Sequence, residues 1–168
     1  MRTAGGPTSF VALLAAVLFT PPGRSEVLSA QPAGFSMRAR VSIAAEPSKV
    51  YRRLLQIGRW WNDAHTHSGA ALNMKLEAKP GGCWLATGRT LRLDSALGPL
   101  HEAGGSGSLN LQLDPEGSGT RVTLTYVGTG FEPQKGLAAM APLFDEVLGD
   151  AMQRLKRYVE TGNTPAGR

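Results

Sequence analysis

A change of hydrophobic period near Gly136 constrains this chain more than any other feature. Upstream of it, Leu109, Leu111 and Leu113 alternate with Ser108, Asn110 and Gln112, and Val122, Leu124 and Tyr126 alternate with Thr123 and Thr125. A period of two puts one strand face in a core and the other in water. The intervening Asp114-Pro-Glu-Gly-Ser-Gly119 is made of turn-forming residues, so the two runs predict a β-hairpin. Downstream, the period becomes three and four. Leu137, Met140, Ala141, Phe144, Leu148, Ala151, Leu155 and Tyr158 make one apolar stripe, with Asp145, Asp150, Arg154 and Arg157 placed for solvent. Pro142 bends this helix or starts its regular part, and Gly162 stops it. A helix of roughly 20 residues reaches about 30 Å, enough to cross a small sheet.

The preceding chain supplies that sheet. Residues 35–44 alternate, with Met37, Ala39, Val41 and Ile43 on one face and Ser36, Arg38, Arg40 and Ser42 on the other. Glu46-Pro47 opens a helix on which Val50, Leu54, Ile57 and Trp61 recur at helical spacing. A polar loop over 62–69 leads to a second strand over 72–76, Pro80-Gly-Gly82 turns into a short strand over 83–86, and Leu91-Arg-Leu93 adds another strand fragment. Leu97-Gly-Pro-Leu100 reads as a bend.

Residues 1–30 read as a signal peptide or targeting segment. Arg2 precedes an apolar run over 10–19 and the pair Pro21-Pro22. A run of about ten residues is too short to span a bilayer, which takes about 20. Export to the periplasm or medium is the expectation, with a small-residue cleavage site near Val27-Leu-Ser-Ala30; a disordered or uncleaved N-terminus is the alternative. The remainder divides into a linker (31–34), one domain (35–162) and a disordered tail (163–168). Without residues 1–30 the chain carries 16 basic against 12 acidic residues, scattered and without interleaved aromatics, which speaks against nucleic acid as a partner. The single cysteine, Cys83, excludes an intramolecular disulfide.

Strand, helix, several antiparallel strands and a long amphipathic helix follow the element order of the helix-grip fold, an α+β architecture in which a curved antiparallel sheet wraps a long C-terminal helix. Gly58-Arg-Trp-Trp61 with His65-Thr-His-Ser-Gly69, Gly81-Gly-Cys-Trp84, Leu91-Arg-Leu with Gly98-Pro-Leu100, Gly119-Thr-Arg-Val-Thr-Leu-Thr-Tyr126 and Arg154-Leu-Lys-Arg-Tyr158 resemble exported bacterial members of the SRPBCC superfamily. That superfamily includes START-like lipid carriers, polyketide cyclase and dehydrase-like proteins and Hsp90-ATPase-activator homologues. The chain departs from the pattern after Trp84. Only Leu85-Ala-Thr-Gly-Arg89 precedes Thr90-Leu91, where such proteins run on through another turn and strand. About 15 to 20 residues are missing by typical strand lengths, which implies a narrower sheet or an exposed edge.

The resemblance implies a cavity between sheet and helix that binds or carries a small hydrophobic molecule. The ligand-binding candidates are Trp60, Trp61, His65, Tyr126, Met140 and Phe144: aromatics commonly line such cavities, Met140 and Phe144 sit on the inward stripe, and a buried Tyr126 hydroxyl needs a partner. His65 and His67 could share one side of an extended segment, but nothing fixes His101 beside them as a third ligand, so no metal is assigned. Cys83 lacks an evident base and reads as core, and no acid and base pair marks a catalytic centre, so neither catalytic residue nor cofactor is assigned. A cyclase or dehydrase-like enzyme using the same cavity is the alternative, and an Hsp90-activator-like interaction module the second.

Overall fold

The computed structural model describes residues 24–76, 90–130 and 136–164. Among these residues five strands, β1 (Arg24–Gln31), β2 (Gly34–Ile43), β3 (Thr90–Asp94), β4 (Ser106–Glu116) and β5 (Gly119–Thr129), form one antiparallel sheet in the order β1-β2-β5-β4-β3. Among the described residues three α-helices accompany it: α1 (Pro47–Leu54), the single turn α2 (Pro99–Glu102) and α3 (Ala141–Thr161). This is the α+β sheet-and-helix arrangement that the change of period predicts.

Register explains the core. Leu91, Leu111, Leu124 and Ala39 stand opposite one another across four strands, and Leu93, Leu109, Tyr126 and Met37 form the next row. All but the half-buried Leu93 are buried, while Arg40, Arg92, Gln112 and Arg121 on the opposite face are exposed. α3 closes the apolar face with Phe144, Leu148, Ala151, Leu155 and Tyr158. Removing each such large side chain from water contributes roughly 1.5–3 kcal/mol. Pro142 sits in the first turn of α3, where no intrahelical N–H is lost, and a 3₁₀ turn over Leu137–Met140 precedes it. Gly162 ends the helix at φ 78°, donating its N–H to the Tyr158 carbonyl at 2.9 Å.

Several elements differ from the sequence reading. α1 stops at Leu54 rather than running to Trp61, because the Trp60 indole N–H donates to the Leu54 carbonyl at 3.1 Å and takes up an acceptor left free at the helix end. A 3₁₀ turn over Ile57–Arg59 keeps Ile57 and Trp60 on the buried side, which prolongs the helical spacing without the helix. The strand expected over 72–76 is a 3₁₀ turn, Ala71–Asn73, followed by irregular chain. Asp63 Oδ1 accepts the Ala71 N–H at 2.6 Å and holds that turn. The hairpin loop is shorter than Asp114 to Gly119: Pro115 still pairs with Thr120, leaving Gly117-Ser118 as the turn.

The sheet also begins before the Phe35 boundary. Residues 24–31, given by sequence to the targeting segment and linker, form β1 along β2, and Ser25 Oγ donates to the Asp145 carbonyl on α3 at 3.1 Å. Alternation fails there because the register slips between Val27 and Ser29, which puts the neighbours Val27 and Leu28 at 40% and 43% exposure. Residues 1–23, the short strand expected over 83–86 with Cys83, and most of the shortened passage from Trp84 to Leu91 lie outside the described residues.

Candidate functional site

α3 presents two faces, and the second one builds the site. Beside the stripe that meets the sheet runs a row at positions 143, 147, 150 and 154, spaced four, three and four residues apart, which turns towards the chain over 60–74. At its C-terminal end the row is polar. Arg154 is buried; its Nε donates to the Trp60 carbonyl at 2.9 Å and its Nη2 to the Trp61 carbonyl at 3.3 Å. Asp150 accepts from Asn62 Nδ2 at 3.1 Å. Asp145, Asp150 and Arg154 therefore fasten other segments to α3 instead of facing solvent as their helical positions suggest, whereas Arg157 is exposed.

At the N-terminal end the row is apolar and borders an open volume among the described residues. Leu143 and Val147, with Phe144 and Leu148 beside them, face a cavity of about 570 Å³. Its far walls are Trp61, Met74 and Leu97, and its mouth carries His65, Thr66, His67, Ser68 and Asn73. The volume lies within the roughly 300–1,000 Å³ of small-molecule sites. The Trp61 indole donates to the His65 carbonyl at 3.1 Å, which fixes the ring against the wall. The chemistry is that of a hydrophobic slot with hydrogen-bonding groups at one end.

Of the six residues singled out by sequence, three line this cavity: Trp61, His65 and Phe144. Trp60 instead packs in the core at 4% exposure, edge-on to Trp61 with centroids 5.8 Å apart. Tyr126 is fully buried behind Phe144, their rings stacked at 5.0 Å and 17°, and its hydroxyl accepts the Leu97 N–H at 3.3 Å. Burial raises its pKa, partly offset by that hydrogen bond. The phenol is thus a strut under the cavity floor, closed off by the ring in front of it. Met140 is half-buried and does not line the cavity. Sequence reasoning missed Val147 and Leu143, whose signal was a one-turn apolar pair flanking the main stripe, and Leu97, which carries no local signal. Among the described residues no three His, Cys, Asp or Glu side chains gather as metal ligands, and His101, on α2, does not line the cavity that His65 and His67 line.

No family model matches the sequence, and no curated protein matches it. Solved structures do. The chain is similar to CalU16 from Micromonospora echinospora, with 14% identity over 86% of each chain and a TM-score of 0.55. It is similar to the Aha1 dimer from Colwellia psychrerythraea, with 20% identity over 76% of this chain and 97% of that one and a TM-score of 0.51. It also matches DynU16, a protein of the dynemicin biosynthetic locus, with 16% identity over 77% of this chain but only 48% of that one, and a TM-score of 0.50. These neighbours share the SRPBCC-like helix-grip fold, and at such identities the likeness bears on fold alone.

Proposed function

We propose that this chain binds or carries a small, mainly apolar molecule in the cavity beside the N-terminal half of α3. The observation that carries the reading is the unfilled apolar volume between Phe144, Val147 and Leu148 on one side and Trp61, Met74 and Leu97 on the other, polar only at its mouth. Filling it would remove apolar surface from water on both partners, at roughly 25 cal/mol per Å². Native mass spectrometry of protein purified from its source tests this. The expected spectrum holds one co-purifying apolar molecule per chain; a ligand-free protein without affinity for a broad lipid and aromatic panel would refute it.

A polyketide cyclase-like enzyme using the same cavity is the rival, favoured by His65 and His67 on the cavity wall as groups able to move protons. Turnover of a polyketide-like substrate that His65→Ala abolishes would establish it. Export is part of the proposal and rests on the basic and apolar character of residues 1–22. The pairing of β1 with β2 supports processing upstream of Arg24 rather than near Ala30, since the latter cut would remove the strand. N-terminal sequencing of the exported protein decides between the two, and protein retained in the cytoplasm would favour an interaction module instead.

A further inference from the structure

A second concavity, of about 840 Å³, lies across Met74 from the apolar cavity and differs from it in charge. Arg53, Arg59 and Lys75 line it, together with apolar Leu55, Ile57 and Leu72, and no described lining residue is acidic. None of the three cations has an ion-pair partner among the described residues. Within its lining the 71–74 turn packs closely on Gly58, where a Cβ would stand 2.9 Å from the Ala71 carbonyl oxygen.

Arg53 is the fixed point. Its Nη1 donates to the Tyr158 hydroxyl at 2.9 Å, its guanidinium lies over the Tyr158 ring at 4.8 Å, and that hydroxyl in turn donates to Gln56 Oε1 at 2.5 Å. A half-buried guanidinium held this way keeps donors free, and its desolvation is compensated by no carboxylate among the described residues. The C-terminal ends of α1 and α3 at this place offer a competing explanation, because helix C-termini attract cations. Their dipoles together amount to about one negative elementary charge at most, and the groove carries three positive ones. Two charges are left over.

We propose that this groove is a second, independent binding site for a small oxyanion borne on a short apolar body, its head held by Arg53 with Arg59 and Lys75 and its body resting on Leu55, Ile57 and Leu72. A planar, pre-oriented guanidinium can hold two oxygens of a phosphate or carboxylate at once. The exposed Leu72, at 70%, gives an apolar body something to cover.

Calorimetric titration of the full chain with phenyl phosphate, inorganic phosphate and phenol, all at one ionic strength, tests it. Phenyl phosphate should bind saturably and more tightly than inorganic phosphate, with phenol not binding in the groove. Arg53→Lys, and separately the pair Arg59→Ala with Lys75→Ala, should each weaken phenyl phosphate by about tenfold or more, and the second variant, which changes only exposed side chains, should melt as the native protein does. Val147→Trp, which fills the apolar cavity, should leave that affinity unchanged. The proposal is overturned if phenyl phosphate fails to reach half-saturation by about 10 mM, which corresponds to an interaction weaker than about −2.7 kcal/mol. It is equally overturned if sodium chloride reproduces the effect, if the cation variants bind as the native protein does, or if Val147→Trp abolishes binding.

Discussion

α3 meets the rest of the molecule in two ways. Towards the sheet, it is met everywhere: Met37, Tyr126, Leu148 and Leu155 are all fully buried, and the aromatic rings of Phe35, Tyr126 and Phe144 touch at centroid distances of 4.8 to 6.0 Å. Towards the 60–74 chain, Arg154 and Asp150 tie down Trp60, Trp61 and Asn62 at one end, and among the described residues an open volume is left at the other. The grip of sheet on helix therefore supplies stability, and the irregular chain on the other flank supplies space. Packing a small protein without voids is the default, so an open apolar volume on a flank whose other end is tied down is a feature to explain.

The sharpest way to break the contrast is to delete volume on each side. Leu155→Ala, in the filled interface, should cost about 3 kcal/mol, and Leu143→Ala, at the cavity rim with 45% exposure, less than about 0.5 kcal/mol, both read from urea unfolding. Equal losses would mean that the two flanks are packed alike. Next in size is the clamp. Arg154→Met should cost roughly 1.5–3 kcal/mol, the worth of hydrogen bonds from a charged group, and should speed amide exchange over 60–68 while leaving β4 and β5 protected. Uniform loss of protection would place Arg154 in the common core instead.

How much of this the sequence could tell follows the same division. Regular periodicity announces what meets the sheet: the hairpin, β2 and the α3 stripe lie where alternation and helical spacing put them. The flank that forms the cavity is built from 3₁₀ turns, capped by side chains such as Trp60 and Asp63 whose partners are carbonyls and amides, and such contacts leave no period. Leu72, Met74 and Leu76 alternate without a strand for that reason. The aromatic trio was legible as apolar, but that Phe144 would shut Tyr126 away from the cavity depends on ring stacking between two residues 18 apart in sequence, on different elements. Arg154 looked solvent-facing because helical position gives direction and says nothing about which neighbour arrives there.

Filling the cavity is a milder intervention. Val147→Trp should change stability by less than about 1 kcal/mol, since the ring enters open space, yet reduce binding of apolar ligands by about tenfold or more, as fluorescence titration would show. A large destabilisation would mean that the volume closes in solution.

The smallest effect concerns acid. Glu160 is raised by burial but lowered more by the Ala44 N–H and Lys156, and its net pKa lies below the usual value. Glu116 is lowered by Ser42 and Arg121, and Asp94 by Ser108 and Arg92. Carboxylates depressed in the fold stabilise it above their unfolded pKa, and that stability is lost as pH falls from about 4.5 through the folded values. All three belong to the sheet's edges and outer face or to the end of α3, and none lines the cavity. Urea midpoints should decline modestly over that range, with Glu160→Gln flattening the slope; a rise on acidification would reverse the sign assigned here.

The most direct test is methyl NMR of the full chain during titration with 1-naphthol, which has the apolar body and single polar end that the cavity offers. Saturable shifts at Val147, Leu148, Leu143 and Leu97, with Leu113, Val122 and Leu155 unmoved, are the predicted result. Shifts centred on the sheet and α3 interface, or no saturable shifts at all, would contradict the claim that the open flank of α3 is the binding site.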